Sequence, residues 1–263
     1  MKRKLQNIIN KCYSLSAIVA LLLIWHIVCT LQLVPEFMLP SPTKVVIAFV
    51  NDFPLLMEHL QTSLMEAFLG LLLGVCIGFL VAVLMDRYEG FYKAFYPIIV
   101  LTQTIPTVAI APLLVLWLGY EMTPKVVLIV LVTFFPIAVG VFHGFQSIDQ
   151  DTIQLLRSMG AKRGQIFWHV KLPSCLGDFF SSLRISVSYA IVGAVIAEWL
   201  GGESGLGVYM TRVRKSFAFD KMFAVIFLIS FISLLLISIV NILQKVSMPW
   251  EREEQKQESV LEK

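Results

Sequence analysis

The sequence predicts an all-α, polytopic membrane protein with six transmembrane helices, and three observations carry that reading. Of the 263 residues, 57% are hydrophobic and only 15% charged, whereas an ordinary soluble domain carries about 25% charged residues. The charges cluster between long neutral stretches, so the chain lacks the regularly spaced charged faces that an α-solenoid or a large soluble bundle needs. The uncharged runs 12–35, 67–85, 94–120, 126–148 and 222–244 are each at least 19 residues long, and crossing the hydrocarbon takes roughly 20 residues in a helix.

A sixth run, 185–197, is shorter and is bounded by Arg184 and Glu198. It spans if Arg184 snorkels to one surface and Glu198 sits near the other.

Taken in order, the first run follows Lys2, Arg3, Lys4 and Lys11, as a secretory leader would. It is too long for one, however, and ends in Pro35-Glu36 rather than a small-residue cleavage site, so a retained span is expected. The stretch 34–61 contains Leu39-Pro40-Ser41-Pro42 and is expected to hold a surface helix. Span two carries Gly70, Gly74 and Gly78 four residues apart. They form a smooth stripe that lets another helix approach closely, within the chain or across a dimer. Span three carries Pro97, Pro106 and Pro112, with Gln103 and Thr104 beside them. Proline frees backbone carbonyls that need partners or a watery lining, so Gln103, Thr104 and Pro106 are candidate pathway residues. Pro136 is expected to kink span four in the same way. Span five repeats the small-residue pattern with Ser186, Ala190, Gly193, Ala194 and Ala197. Glu66 and Glu198 fall at span ends, where interfacial solvation competes with a functional role; Glu198 joins the pathway candidates.

Charge bias sets the orientation. With the N-terminus in the cytoplasm, the cytoplasmic segments hold fifteen Lys and Arg residues and the outer segments six, the asymmetry that positive-inside topology requires. Both termini are then cytoplasmic. Residues 1–249 are expected to form a single transmembrane domain, and 250–263 a charged cytoplasmic tail. The outer cluster at 212–221 reads as a solvated helix, a docking surface or an attraction for anions. The cysteines Cys12, Cys29, Cys76 and Cys175 lack paired spacing, and no His pair has metal-ligand spacing with other donors. No metal, bound cofactor or nucleic-acid partner is expected.

The cytoplasmic connection 146–182 is far longer than a turn between helices needs. Asp151 or Thr152 can cap a short helix presenting Ile153, Leu156 and Met159, with Gly160 as a left-handed stop. A second short helix presents Ile166, Phe167 and Val170 until Leu172-Pro173 ends it. Two short amphipathic helices at an angle make a knob for a partner's groove or an interfacial anchor.

This segment resembles the cytoplasmic signature of binding-protein-dependent ABC importer permeases, which runs Glu-Ala-Ala, three residues, Gly, nine residues, an aliphatic residue, one residue, Leu-Pro. Gly160, Val170, Leu172 and Pro173 hold those positions with the right spacing, and Ala161 matches the residue that often follows the glycine. Gln154-Leu155-Leu156 stands where Glu-Ala-Ala would be. The resemblance extends over nearly the whole chain. Leu39-Pro40-Ser41-Pro42, Gln103-Thr104-Ile105-Pro106, and Ala197-Glu198-Trp199 through Ser204-Gly205-Leu206-Gly207 look like the branch importing sulfonates, taurine, nitrate or thiamine-precursor pyrimidines. Trp117-Leu118-Gly119-Tyr120 and Phe134-Phe135-Pro136 are most similar to the pyrimidine or riboflavin type.

The resemblance implies a type I ABC importer permease fold in a bacterial cell membrane, surrounded by lipid and doing no chemistry itself. ATP would be used by a cytoplasmic ATPase dimer, an extracytoplasmic binding protein would deliver solute, and a second permease copy would complete the pathway. Gln154, Leu156, Gly160, Ala161, Val170, Leu172 and Pro173 would form the coupling element. Consistently, the chain has no G-x-x-x-x-G-K-[ST] phosphate loop. A secondary transporter would need buried ionisable residues in discontinuous helices, a channel a filter or charged ring, and an intramembrane enzyme a nucleophile with its base.

Overall fold

Helices account for most of residues 2–250, the residues that the computed structural model describes. The charged tail beyond Trp250 lies outside those residues. Eleven α-helices follow in order among the described residues: α1 (Lys2–Thr30), α2 (Pro42–Asn51), α3 (Phe53–Arg87), α4 (Glu89–Thr104), α5 (Thr107–Leu118), α6 (Met122–Gln146), α7 (Gln150–Ser158), α8 (Arg163–Ile166), α9 (Leu172–Trp199), α10 (Leu206–Lys215) and α11 (Phe219–Ser247). A π turn over Phe167–Lys171 joins α8 to α9.

Four helical stretches among the described residues are long and apolar enough to cross a bilayer: α3, α6, α9 with its preceding turns, and α11. The pair α4 and α5 makes a fifth crossing if it acts as one span, bent by 99° at its break. The six-span reading then rests on α1, whose apolar stretch among the described residues is Ser16–Thr30. Side chains such as Leu21, Leu116, Phe231 and Leu234 point outward and are exposed. In hydrocarbon, that apolar surface is in its proper solvent.

The core is a three-helix stack, with α6 packed along α3 on one side and α9 on the other. The glycine stripe explains how α3 gets so close. A Cβ on Gly70 would overlap the Ile129 side chain, one on Gly74 the Thr133 side chain, and one on Gly78 would stand 2.9 Å from the Phe134 carbonyl oxygen. All three stripe residues therefore face α6 within the same chain. Gly144 of α6 plays the same part toward Cys175 of α9. In lipid, where burying carbon gives little gain, this closeness of backbones supplies the dispersion that holds helices together.

The Leu39-Pro40-Ser41-Pro42 stretch starts the expected surface helix, α2. Ser41 is its N-cap, with extended backbone and a side chain accepting from the Lys44 N–H, and Pro42 takes the first turn, where its missing N–H costs nothing. The Pro40 carbonyl accepts from the Trp25 indole at 3.1 Å, pinning α1 to this corner. Trp25 also stacks on Phe223 and Phe227 of α11.

Three expectations need correction. Leu172-Pro173 does not end a helix; the chain stays helical from Arg163 to Trp199, and Pro173 sits in the first turn of α9. The fifth span is therefore long, not short. Arg184 does not snorkel into solvent but reaches across to α11, donating to Asn241 Oδ1 and Gln244 Oε1. Pro136 lies inside α6, as the sequence placed it.

Candidate functional site

Two ends of the bundle carry different chemistry. At one end stand the last turns of α3, α6 and α11, the start of α9, and the helix–turn–helix of α7 and α8. At the other stand α2, α10 and the opposite ends of α3, α6 and α9.

The projecting segment is built by local rules. Asp149, rather than Asp151 or Thr152, caps α7, accepting from the Asp151 N–H at 3.2 Å. The helix closes with a full Schellman arrangement: the Gly160 N–H reaches the Arg157 carbonyl at 2.9 Å and the Ala161 N–H reaches Leu156 at 3.0 Å. Gly160 has φ +84°, a conformation that costs an L side chain about 1–2 kcal/mol. Ile153 and Ile166 are buried under the segment, and Phe167 packs on Phe145 of α6. Leu156, Gly160, Ala161 and Val170 meet around one groove of about 430 Å³. Gln154 points outward, while Leu172 and Pro173 begin α9. Leu155, Met159 and Trp168 are 62–75% exposed, an apolar surface beyond what a solvated turn needs. Lys171 ties the segment to the end of α3 with Nζ at 2.6 and 2.8 Å from the two Asp86 carboxylate oxygens.

Near the middle of α6, the break between α4 and α5 opens a cavity of about 370 Å³. Its lining includes Gln103, Pro106, Thr102, Thr107, Tyr189 and Gly193. Of the sequence-derived pathway candidates, Gln103 and Pro106 come together here. Thr104 instead donates to the Leu101 carbonyl of its own helix, and Glu198 lies elsewhere.

Glu66 and Glu198 are not solvated at an interface; their exposures are 2% and 1%. Lys125, one of the six Lys and Arg residues that the charge bias assigns to the outer segments, is also buried and meets Glu66 Oε1 at 2.6 Å. Ser63 donates to Glu198 Oε1 at 2.6 Å and accepts from the Leu206 N–H at 2.8 Å. The Gly207 N–H reaches Glu198 Oε2 at 2.6 Å. The Gly205 N–H donates to His59 Nδ1 at 3.0 Å. The Ser204-Gly205-Leu206-Gly207 run is thus a clasp around one carboxyl, and a Cβ at Gly205 or Gly207 would run into Glu198. Sequence spacing could not link Ser63 to Glu198, 135 positions away.

Beyond this cluster, α10 buries Leu206, Tyr209, Met210 and Val213 and turns Arg212, Arg214 and Lys215 outward at its C-terminal end, where cations complement the helix dipole. Asp52, between α2 and α3, receives Tyr209 Oη and Lys221 Nζ. Partial burial raises the Asp52 carboxyl, but the Lys221 and Tyr209 contacts outweigh it and leave it below the usual carboxylate range. Burial, reinforced by the Asp52 carboxylate, pushes the Tyr209 hydroxyl well above its ordinary value.

Comparison with known proteins agrees with this architecture. The chain is 35% identical to the formylaminopyrimidine transport permease protein ThiX of Halalkalibacterium halodurans over 89% of its length and 94% of the relative's. It is 33% identical to the taurine transport system permease protein TauC of Escherichia coli over 92% and 90%. A solved bacterial ABC transporter that imports the acidic polysaccharide alginate shares the fold, with TM-score 0.63 over 92% of this chain and 98% of that one at 17% identity. The model of the binding-protein-dependent transport system inner membrane component family matches residues 74–253, so the chain belongs to that family, as the multi-pass permease subunit of an ABC importer.

Proposed function

We propose that this permease carries a small, uncharged polar solute, a pyrimidine-like heterocycle foremost, and is driven through the α7–α8 segment by a cytoplasmic ATPase. Two copies of the chain enclose the pathway, both termini face the cytoplasm, and the binding protein delivers solute at the α2–α10 end. The excess of basic residues at the α7–α8 end supports this orientation.

The observation that carries the coupling role is the projecting helix–turn–helix, with Leu155, Met159 and Trp168 exposed around a glycine-set turn. An apolar surface on a rigid, capped element suits a groove in a partner. It is rooted in the bundle through Ile153, Ile166 and the Lys171–Asp86 pair, so force on it reaches the spans.

The solute lean rests on the cavity at the α4–α5 break. Its described lining offers an amide, hydroxyls and apolar surface, and no ionised side chain. A sulfonate or nitrate would find no countercharge there, whereas a neutral heterocycle finds donors, acceptors and flat apolar walls. The 35% identity to a formylaminopyrimidine permease points the same way.

The test is reconstitution in liposomes with the co-encoded ATPase and binding protein, comparing labelled formylaminopyrimidine with taurine. ATP-dependent uptake of the pyrimidine alone supports the reading; uptake of taurine alone overturns the solute lean. Uptake without any ATPase overturns the coupling role.

A further inference from the structure

Counting charges in the Glu66–Glu198 cluster exposes an imbalance. Two carboxyl groups, each at most 2% exposed, meet a single ammonium, Lys125, itself 6% exposed. Lys125 contacts Glu66 Oε1 at 2.6 Å and thereby balances one of the two. If both carboxyls were ionised, one negative charge would stay buried and uncompensated, among the costliest arrangements a protein interior can hold.

No neighbour supplies the missing positive charge. His59 is one turn before Ser63 on α3, but its Nδ1 accepts from the Gly205 N–H. A nitrogen that accepts carries no proton, so the ring is neutral. Arg212 of α10 is exposed and donates to the Glu203 carbonyl, and Tyr209 is committed to Asp52. The nearby acids Glu58, Glu121 and Glu203 only add negative charge. The N–H groups at the start of α10 favour an anion at Glu198, but the carbonyl end of α9, on which Glu198 sits, opposes it.

A second, independent observation names what is absent. Glu66 Oε2 is buried with no hydrogen-bond partner among the described residues, and Ser63, three positions before Glu66 on the same face of α3, holds the Glu198 carboxyl beside it at 2.6 Å. Two buried carboxyls held within a helical turn of each other, with one ammonium for the pair, cannot both stay ionised without a large cost. A hydrogen between them satisfies the orphaned oxygen and cancels the surplus charge in one step.

We propose that Glu66 and Glu198 hold one shared proton, forming a proton-binding site at the end of the bundle opposite the coupling segment. No bond other than O–H is involved: one proton is taken from water and shared by the carboxyl pair, and the cluster becomes neutral. Water reaches it through a cavity of about 770 Å³ that Glu66 and Lys125 help to line. The proton joins α3 to α9, and through Ser63 and Gly207 it locks the 200–207 clasp. Its loss leaves two repelling carboxylates and loosens those helices from each other. The proton requirement is independent of the solute carried.

The experiment is infrared spectroscopy of the full chain in lipid bilayers at neutral pH, following the carbonyl stretch of a protonated carboxyl and its shift in heavy water. Wild type is expected to show the band. Glu198→Gln and Glu66→Gln each leave one carboxylate facing Lys125, so each should lose it, while Glu36→Gln at an exposed ion pair should keep it. Absence of the band in wild type, or its persistence in either cluster variant, overturns the proposal. Thermal unfolding gives a second measure that needs no spectroscopic assignment. A proton held more tightly folded than unfolded makes stability fall as pH rises, and the wild-type alkaline slope should flatten in both Gln variants. An unchanged slope in both overturns the proposal as well.

Discussion

Lys171 and Asp86 close an ion pair across the root of the projecting α7–α8 segment, 85 positions apart in sequence, with side chains only 19% and 10% exposed. Removing one partner of a largely buried pair leaves the other unmatched, which costs about 3–5 kcal/mol. Lys171→Met or Asp86→Asn is therefore expected to cut ATP-driven uptake severalfold while the protein still inserts. The exchange Lys171→Asp with Asp86→Lys should restore part of the loss. Proteoliposome uptake checks both, and equal uptake by all four proteins contradicts the role given to the pair.

Gly160 has open space where a Cβ would project, so only its backbone angle restricts what can replace it. Gly160→Val should uncouple ATP hydrolysis from uptake, because a β-branched residue resists positive φ and the turn would reshape. Gly160→Asn, which tolerates the left-handed region, should retain most activity. Measuring ATPase rate and uptake together distinguishes this from a general folding loss, in which both would fall equally for the two variants.

The α3–α6 contact offers a stability test. Gly74→Leu has to displace Thr133, and overpacking of this kind typically costs about 1–3 kcal/mol. A lowered melting temperature in detergent is expected, with Gly90→Leu as the comparison because nothing lies within 4 Å of a Cβ there. Equal melting temperatures would refute the close approach.

Asp52 gives a pH prediction whose sign follows from its lowered value. A carboxyl depressed in the folded state contributes stability above its usual 3.8, and that contribution disappears as pH falls through the folded value. Asp52→Asn should therefore lose stability at neutral pH and show a shallower acid limb. Thermal scans of both proteins at falling pH check this; parallel acid limbs would argue against it.

Much of this architecture was legible in the chain. The neutral runs located the spans, because a bilayer demands uninterrupted apolar length. Gly160 marked the turn of the projecting helix–turn–helix, because a left-handed turn leaves a glycine behind. What stayed hidden needed three dimensions. Pro173 reads as a terminator, yet proline is equally suited to a first turn, and only the preceding π turn decides between the two. Lys125 reads as a loop charge because it borders a neutral run, yet Glu66 draws it inside. Ser63 carries no signal at all, since its importance comes from a partner far away in sequence.

The unbroken helical path from Arg163 to Trp199 has a mechanical meaning. Its 37 residues make a rod of about 55 Å, at 1.5 Å per residue, so a tilt of about 5° swings the far tip by about 5 Å. On the coupling role proposed above, a push at the Arg163 end moves Glu198, on the last turn of the same helical path, with no need for a relay of side chains between them.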